Sequence, residues 1–183
     1  MKPRGSRWQI VGYFCEVLGL MVWVGGLFMI IAVVIPAVFN SFGMEPAGRF
    51  LRRVFDGYSQ VTLGVLLFLV LMVLVRYWYG RHSPQIQFPV TRVDVILLVA
   101  MIVTTILIMG VLGPKAIALQ EQAFATVSQV EKKVAYDQFF RMHMIVRALH
   151  LINVGLAAGL LISKLRRGLV LSHMAHEPLR NAS

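Results

Sequence analysis

The chain has 183 residues, which gives room for a single domain, and 58% of them are hydrophobic while only 14% are charged. A surface this apolar excludes an ordinary soluble protein and predicts one that lies in lipid. The formal net charge is +10, but its basic residues flank apolar runs, as membrane topology requires, and no basic face with interleaved aromatic residues indicates nucleic-acid binding.

The first predicted transmembrane helix covers about residues 9–39. Basic residues precede it, as in a secretory signal peptide, but the apolar run is too long and contains Glu16, so it is interpreted as an uncleaved anchor. Its length predicts a tilted helix, which Pro36 is expected to bend or end near the outer face of the membrane.

Three further apolar runs, at about 58–79, 93–112 and 140–163, are each long enough to cross a membrane. The run at 93–112 is expected to stop at Gly113-Pro114, which follows it. The sequence therefore predicts an all-α integral membrane four-helix bundle over residues 1–167, followed by a flexible cytoplasmic tail at 168–183.

The outer loops are also expected to contain helix. Pro46 can begin a short amphipathic helix in the first outer loop, with apolar residues toward the membrane. Its three arginines are predicted to contact lipid headgroups: Arg49, Arg52 and Arg53. The third loop is predicted to be partly helical, because residues 115–153 contain no glycine or proline and carry apolar residues at near-helical spacing.

The distribution of Lys and Arg predicts the orientation. The N-terminus, the second loop and the tail hold ten of them, whereas the other two loops hold seven. Trp8 and the aromatic residues at 77–79 fall at one predicted interface, as an aromatic belt would. Both termini are therefore expected on the cytoplasmic side.

Glu16 is the first polar residue of interest, because a charged side chain inside lipid requires a partner. It lies on a helix face that also carries Gly12, Gly19, Trp23 and Gly26, a pattern that lets two helices approach closely. One interpretation is a packing face whose acid is satisfied locally. The other is a role in moving an ion or a proton.

The last predicted helix carries His143, Arg147 and His150 at i, i+4 and i+7, with Asn153 beside them. We expect Arg147 to point inward and to be paired, with Glu16 as the only acid well inside an apolar run. The alternative is that Arg147 extends outward to lipid phosphates. The inward arrangement predicts an intramembrane polar site.

Cofactor binding is weakly indicated. His143 and His150 lie about 10 Å apart on one helix face, so they cannot both bind one haem iron. Copper could use the imidazole of His143 with the thioethers of Met142 and Met144. The cofactor stays unknown, and no sequence feature requires one. Phosphate-loop, zinc-protease and nucleophile-elbow motifs are all missing from the sequence, which argues against a hydrolase and less strongly against a membrane redox enzyme, so a non-enzymatic protein is favoured.

Short motifs give the chain a resemblance to the transmembrane protein 205-like family, a group of four-pass proteins with bacterial members. The motifs are Trp23-Val24-Gly25-Gly26 followed by Pro36, and Phe139-Phe140-Arg141-x-His143 at the start of the last helix. The resemblance implies a four-helix membrane protein, here in the bacterial inner membrane. It directs attention to the residues Trp23, Gly25, Gly26, Pro36, Phe140, Arg141 and His143, but it implies no chemistry.

Three functions remain open. The first is a non-enzymatic membrane protein whose polar site handles a small solute, an ion or a proton. The second is an accessory subunit of a larger membrane complex, or a homo-oligomer. The third is a metal- or haem-binding redox or assembly factor.

Overall fold

The computed structural model describes residues 5–82, 90–125 and 128–180, with side chains described over 7–79, 90–125, 128 and 130–169. The described residues are almost entirely helical and contain no strand. Four helical spans are long and apolar enough to cross a membrane: Arg7–Ser41, Met44–Tyr79, Arg92–Ala125 and Val130–Leu169, called spans 1 to 4. The predicted all-α four-helix membrane architecture is confirmed.

Spans 1 and 3 each consist of two α-helices joined by a π-helical turn. Span 1 contains α1 (Gly5–Met29), the turn Ile30–Val34 and α2 (Ile35–Ser41). Span 3 contains α4 (Arg92–Ile106), the turn Leu107–Leu112 and α5 (Gly113–Ala125). Spans 2 and 4 belong to the single long helices α3 (Met44–His82) and α6 (Gln129–Arg180).

Each π-helical turn ends two residues before a proline. Pro36 follows the turn in span 1, and Pro114 follows the turn in span 3. Proline has no N–H to donate and its ring collides with the preceding turn, and a wider turn removes both conflicts without ending the helix. Our expectation that span 3 stops at its Gly-Pro pair was therefore wrong, since the helix continues to Ala125.

The four spans run antiparallel, so Gly5 and Arg180 lie at the same end of the bundle, called here the terminal end; the other is the distal end. Helix α6 packs against α1, α4 and α5, and α1 also packs against α3. The shared core is apolar and contains Leu20, Trp23, Leu27, Leu66, Leu69, Leu98, Met101, Ala157 and Leu160.

Glycines of α1 allow the close approach of α3. A Cβ added at Gly19 would lie 3.1 Å from Val65 Cγ1, and one at Gly26 would lie 3.1 Å from Tyr58 Cε2. Larger side chains at these two positions would separate the helices, so the packing face predicted from the small residues is confirmed.

The connections differ from prediction at two places. The connection between spans 1 and 2 is only Phe42–Gly43, and the predicted short amphipathic helix forms the first turns of α3 instead. At the C-terminal end, α6 continues as a helix to Arg180, where we expected a flexible tail from residue 168. Residues 181–183 of that tail lie outside the described residues.

Two of the three arginines predicted to contact lipid headgroups form ion pairs at the distal end. Arg49 Nη2 donates to Glu45 Oε1 at 2.8 Å, and Arg52 Nη1 donates to Glu121 Oε1 at 2.8 Å. Arg53 is exposed, and no acidic side chain of the described residues pairs with it. Of the three arginines predicted to contact lipid, Arg53 alone is left without an acid in the described part of the chain.

Candidate functional site

Glu16 lies at the centre of a buried group of charges near the terminal end. Its side chain is 1% exposed. Arg76 Nη2 of α3 donates to Oε1 at 2.5 Å, and the Lys164 ammonium of α6 donates to Oε2. A buried carboxylate is tolerated only when it is paired and hydrogen-bonded, and here each oxygen has its own cation.

Tyr13 holds the two cations in place from one turn before Glu16. Its hydroxyl donates to the backbone carbonyl of Lys164. Its ring lies 5.9 Å from the Arg76 guanidinium carbon and 5.8 Å from Lys164 Nζ, within the range of cation–π attraction. Spans 1, 2 and 4 are therefore linked at one level of the bundle.

Asp94 forms a second buried ion pair at the same end. It is the third residue of α4, where its carboxylate accepts from the Thr91 backbone N–H at 3.1 Å and the Thr91 hydroxyl accepts from the Asp94 N–H. This reciprocal capping box satisfies two helix N–H groups. The Asp94 carboxylate also accepts two hydrogen bonds from the Arg167 guanidinium, one of them 2.7 Å long.

Together these charges form the ionic cluster: Glu16, Arg76, Asp94, Lys164 and Arg167. It contains two acids and three bases, and it draws one or two members from every span. Exposed aromatic residues flank it, with Trp8 on α1 and the residues 77–79 on α3. Arg76 directly precedes these aromatic residues of α3, and Glu16 lies about two helical turns after Trp8, so the cluster adjoins the expected aromatic belt at the terminal end.

A second polar region follows the inward face of α6. Asn153 is 5% exposed, and its Nδ2 donates to Thr105 Oγ1 of α4 at 3.1 Å. Its Oδ1 is buried and has no partner among the described residues. One turn toward the distal end, the half-buried His150 ring lies 6.0 Å from Phe55 and 6.5 Å from Tyr58. We call His143, His150 and Asn153 the α6 stripe.

His143 begins the α6 stripe at the distal end. It is half-buried, and its ring stacks on Phe139 at 5.4 Å between centroids. Successive residues of a helix are rotated by about 100°, so His143 and His150, seven positions apart, lie within about 20° of each other, and Asn153 lies about 60° further round. Together they form the half-buried and buried side of α6.

Arg147 does not belong to the α6 stripe. It is exposed, and no acidic side chain in the described ranges pairs with it. By helical rotation it lies about 40° beyond His143 and about 120° from Asn153, where the side chains of α6 are exposed. The expectation that Arg147 points inward and pairs with Glu16 was wrong, because Arg76 and Lys164 already occupy both carboxylate oxygens.

The predicted single polar site therefore separates into two regions. Lys164, which contacts Glu16, lies fourteen residues after His150, or about 21 Å along α6. Glu16 is not in contact with the histidines, and apolar core residues such as Leu160 and Ala157 lie between the ionic cluster and Asn153.

Two residues of the first family motif form a helix contact. Trp23 is 2% exposed, and its carbonyl accepts a hydrogen bond of 2.8 Å from the Tyr58 hydroxyl. Gly26 lies against the same tyrosine ring, whereas Gly25 has no atom within 4 Å of an added Cβ. Pro36, Phe140 and Arg141 are exposed. These motif residues therefore do not converge on one place.

Among the described residues, no group of three or more His, Cys, Asp or Glu side chains comes together in a way that could hold a metal ion. Around His143, the neighbouring Met142 is half-buried and Met144 is exposed. The two thioethers project to different sides of α6, so this copper donor set is divided between two faces.

Comparison with known protein families identifies the family of this chain. The profile of a family described as a domain of unknown function, DUF4149, matches residues 18–125, which is more than half of the sequence. The chain belongs to the DUF4149 family. The family is uncharacterised, and this match does not link it to the transmembrane protein 205-like family. No curated protein and no solved structure shows significant similarity to the chain.

The DUF4149 match divides both polar regions. It includes Arg76 and Asp94 of the ionic cluster and Thr105, which binds Asn153. It excludes Glu16 and the whole of α6, so each region combines residues from inside and outside the matched segment.

Sequence reasoning missed four members of the ionic cluster as site residues. Arg76, Lys164 and Arg167 are among the basic residues that were counted only for orientation, and Asp94 was not assigned to a site. One signal was available: all four follow or begin an apolar run at the same predicted face of the membrane as Glu16. Long basic side chains at such positions can reach an acid one or two turns deeper.

Proposed function

We propose that this DUF4149 protein is a non-enzymatic membrane protein whose α6 stripe takes up a small solute that donates hydrogen bonds, with ammonium and the hydrated proton as the leading cases. The solute enters from the distal end past His143 and His150 and reaches Asn153. The ionic cluster closes the terminal end and must rearrange before the solute can leave there.

The observation that carries this proposal is the unpaired Oδ1 of Asn153. A buried carbonyl oxygen without a donor costs roughly 1–3 kcal/mol, and the cost favours any small donor that can reach it. Asn153 lies near the middle of its span, where water is scarce, so a polar residue at this depth indicates function more often than it does at the surface.

His150 supports a path from the distal end to Asn153. Its imidazole can accept and donate a proton, and it lies one turn from the unpaired oxygen on the same helix face. The rings of Phe55 and Tyr58 lie beside the His150 imidazole. These aromatic neighbours keep its surroundings apolar enough to exclude larger polar solutes.

Reconstituted vesicles test the proposal. Purified protein in liposomes loaded with a pH-sensitive dye should carry ammonium or protons faster than empty liposomes do. Asn153→Leu should abolish this excess flux, because it removes the acceptor and fills its space. Thr104→Val is the matched control, since Thr104 is a buried polar residue like Asn153 but lies on α4, where its hydroxyl donates to the carbonyl of Ala100 in the same helix.

Two outcomes of the flux assay would overturn the proposal. Wild-type protein that gives no flux of either ion above empty liposomes contradicts it, as does an Asn153→Leu variant that carries the ions at the wild-type rate. Equal loss in Asn153→Leu and Thr104→Val would show that the stripe only supports the fold.

Arg147 favours a second candidate, an accessory subunit of a larger complex or a homo-oligomer. An exposed arginine inside an apolar span, unpaired within the described residues, would be neutralised by an acid on another chain. A photo-crosslinker at Leu151, one turn away on the same exposed side, should then capture a defined partner in native membranes. A control crosslinker at Leu67, exposed on α3, should not capture it.

We also propose that the chain is related to the transmembrane protein 205-like family and that it lies in the bacterial inner membrane. The contact of Trp23 and Gly26 with Tyr58 gives the shared motif a structural role in joining spans 1 and 2. A tyrosine at the position of Tyr58 in members of both families would support the relationship, and its replacement by aliphatic residues in one of them would contradict it.

A further inference from the structure

A groove lies between spans 3 and 4 at the terminal end, beside the ionic cluster, with which it shares Arg167. Its volume is about 450 Å³. Seven residues line it: Thr91, Val93, Gly159, Ile162, Ser163, Arg166 and Arg167. Val93 and Ile162 are each 53% exposed, so the groove opens on the outer surface of the bundle and not toward its core.

The charge of the groove is positive. Arg167 is bound to Asp94, so these two charges offset each other. Arg166 is exposed, and no acidic partner of the described residues neutralises it. Arg92 is exposed beside the lining residues Thr91 and Val93 and adds a second positive charge.

The polar and apolar parts of the groove are separated along the bundle axis. Arg166 and Arg167 lie toward the terminal end of α6, and Ile162 and Gly159 lie one to two turns deeper in the span. Gly159 leaves open space there, since an added Cβ would meet only Leu97 Cδ1, at 3.9 Å.

We propose that this groove binds an anionic phospholipid. The phosphate accepts hydrogen bonds from the Arg166 guanidinium and from the hydroxyl of Ser163, which accepts from Arg167 and keeps its own O–H to donate. The upper part of one acyl chain lies over Gly159 against Ile162 and Val93. The positive end of the α4 helix, which begins at Arg92, favours the same anion.

The apolar part of the groove distinguishes a lipid from a free phosphate ion. An inorganic phosphate gains nothing from Ile162 and Val93, whereas an acyl chain that covers them is in contact with apolar surface. The expected position of the groove at the headgroup level of the terminal end also supplies lipid at high local concentration.

Native mass spectrometry of the whole protein tests the proposal. The protein is reconstituted with equal amounts of phosphatidylglycerol and phosphatidylcholine, extracted in mild detergent, and the retained lipid is counted. Wild-type protein should retain phosphatidylglycerol preferentially. Arg166→Gln should reduce its retention about tenfold, the size expected for one lost charge-assisted hydrogen bond. Arg7→Gln is the control, because Arg7 is exposed on α1, outside the groove lining.

A second variant separates the lipid from a free ion. Gly159→Phe should displace the acyl chain and lower retention while Arg166 stays in place, and inorganic phosphate should not compete. Equal retention of the two lipids, or an Arg166→Gln variant that retains phosphatidylglycerol like the wild type, overturns the proposal. Displacement by inorganic phosphate, together with no effect of Gly159→Phe, would assign the groove to a free phosphate ion and also overturn it.

Discussion

Glu16 and Lys164 are separated by 148 positions in the sequence, and their side chains form a buried ion pair. Arg76 binds the other oxygen of the same carboxylate, so the first, second and last spans meet at a single acid. The stability of this bundle therefore depends on the Glu16 carboxylate, a charge that would be unfavourable in an apolar span without its partners.

We expect Glu16→Gln to lower the free energy of unfolding by about 3–5 kcal/mol, because Lys164 and Arg76 would be left without their counter-charge. Unfolding with a denaturing detergent measures the loss. In Glu16→Gln/Lys164→Met the loss should be smaller than the sum of the two single losses. Glu45→Gln is the control, since its ion pair is exposed and should contribute less than about 1 kcal/mol. Similar losses in Glu16→Gln and Glu45→Gln would contradict a structural role for the cluster.

Asp94 should show two separable contributions. Asp94→Asn removes the charge that binds Arg167 but keeps an oxygen for the Thr91 N–H, and the partly exposed Arg167 can turn toward water. We therefore expect a smaller loss than for Glu16→Gln. Thr91→Ala removes the cap and keeps the ion pair, at a cost of about 1 kcal/mol. Detergent unfolding of both variants measures the loss in the free energy of unfolding for each. A larger loss for Asp94→Asn than for Glu16→Gln would contradict this ranking.

Gly26 and Gly25 provide a matched pair. Gly26→Val places atoms against the Tyr58 ring, where even a Cβ would lie 3.1 Å from Cε2, and should destabilise the bundle by about 1–3 kcal/mol. Gly25→Val meets open space and should have no such effect. Thermal unfolding in detergent compares the two. The same loss in both variants would show that glycine acts here through helix flexibility and not through packing.

Arg147 should be replaceable without loss of stability. Arg147→Lys and Arg147→Ala are each expected to change the free energy of unfolding by less than about 0.5 kcal/mol, because the side chain is exposed. Arg76→Ala serves as the positive control, since it removes a partner of Glu16. If Arg147→Ala destabilised the isolated protein as much as Arg76→Ala does, the exposed position of Arg147 would be contradicted.

The orientation can be tested by labelling cysteines in a Cys15→Ser background. Gly43→Cys and Ser128→Cys lie at the distal end, and both should react with an impermeant thiol reagent in intact cells. A reporter after Ser183 or within residues 80–91 should be cytoplasmic. Labelling of Gly43→Cys but not Ser128→Cys would contradict the four-pass arrangement.

The polar residues show where prediction from the sequence reached its limit. The helix periodicity of α6 placed His143 and His150 on one face correctly, because a rotation of about 100° per residue is a local property of the helix. The same periodicity could not show which face turns inward. Arg147 lies only four residues from His143, yet it falls on the exposed side.

The sequence by itself determined the membrane class, the four spans and a close-packing face on α1 that includes Gly19 and Gly26. These follow from apolar length and from side-chain size, which act locally along the chain. Only the tertiary structure decided that Glu16 binds Arg76 and Lys164 and not Arg147. Partner choice among buried charges depends on which helices are neighbours and on the depth of each residue, and both are fixed only when the four spans pack together.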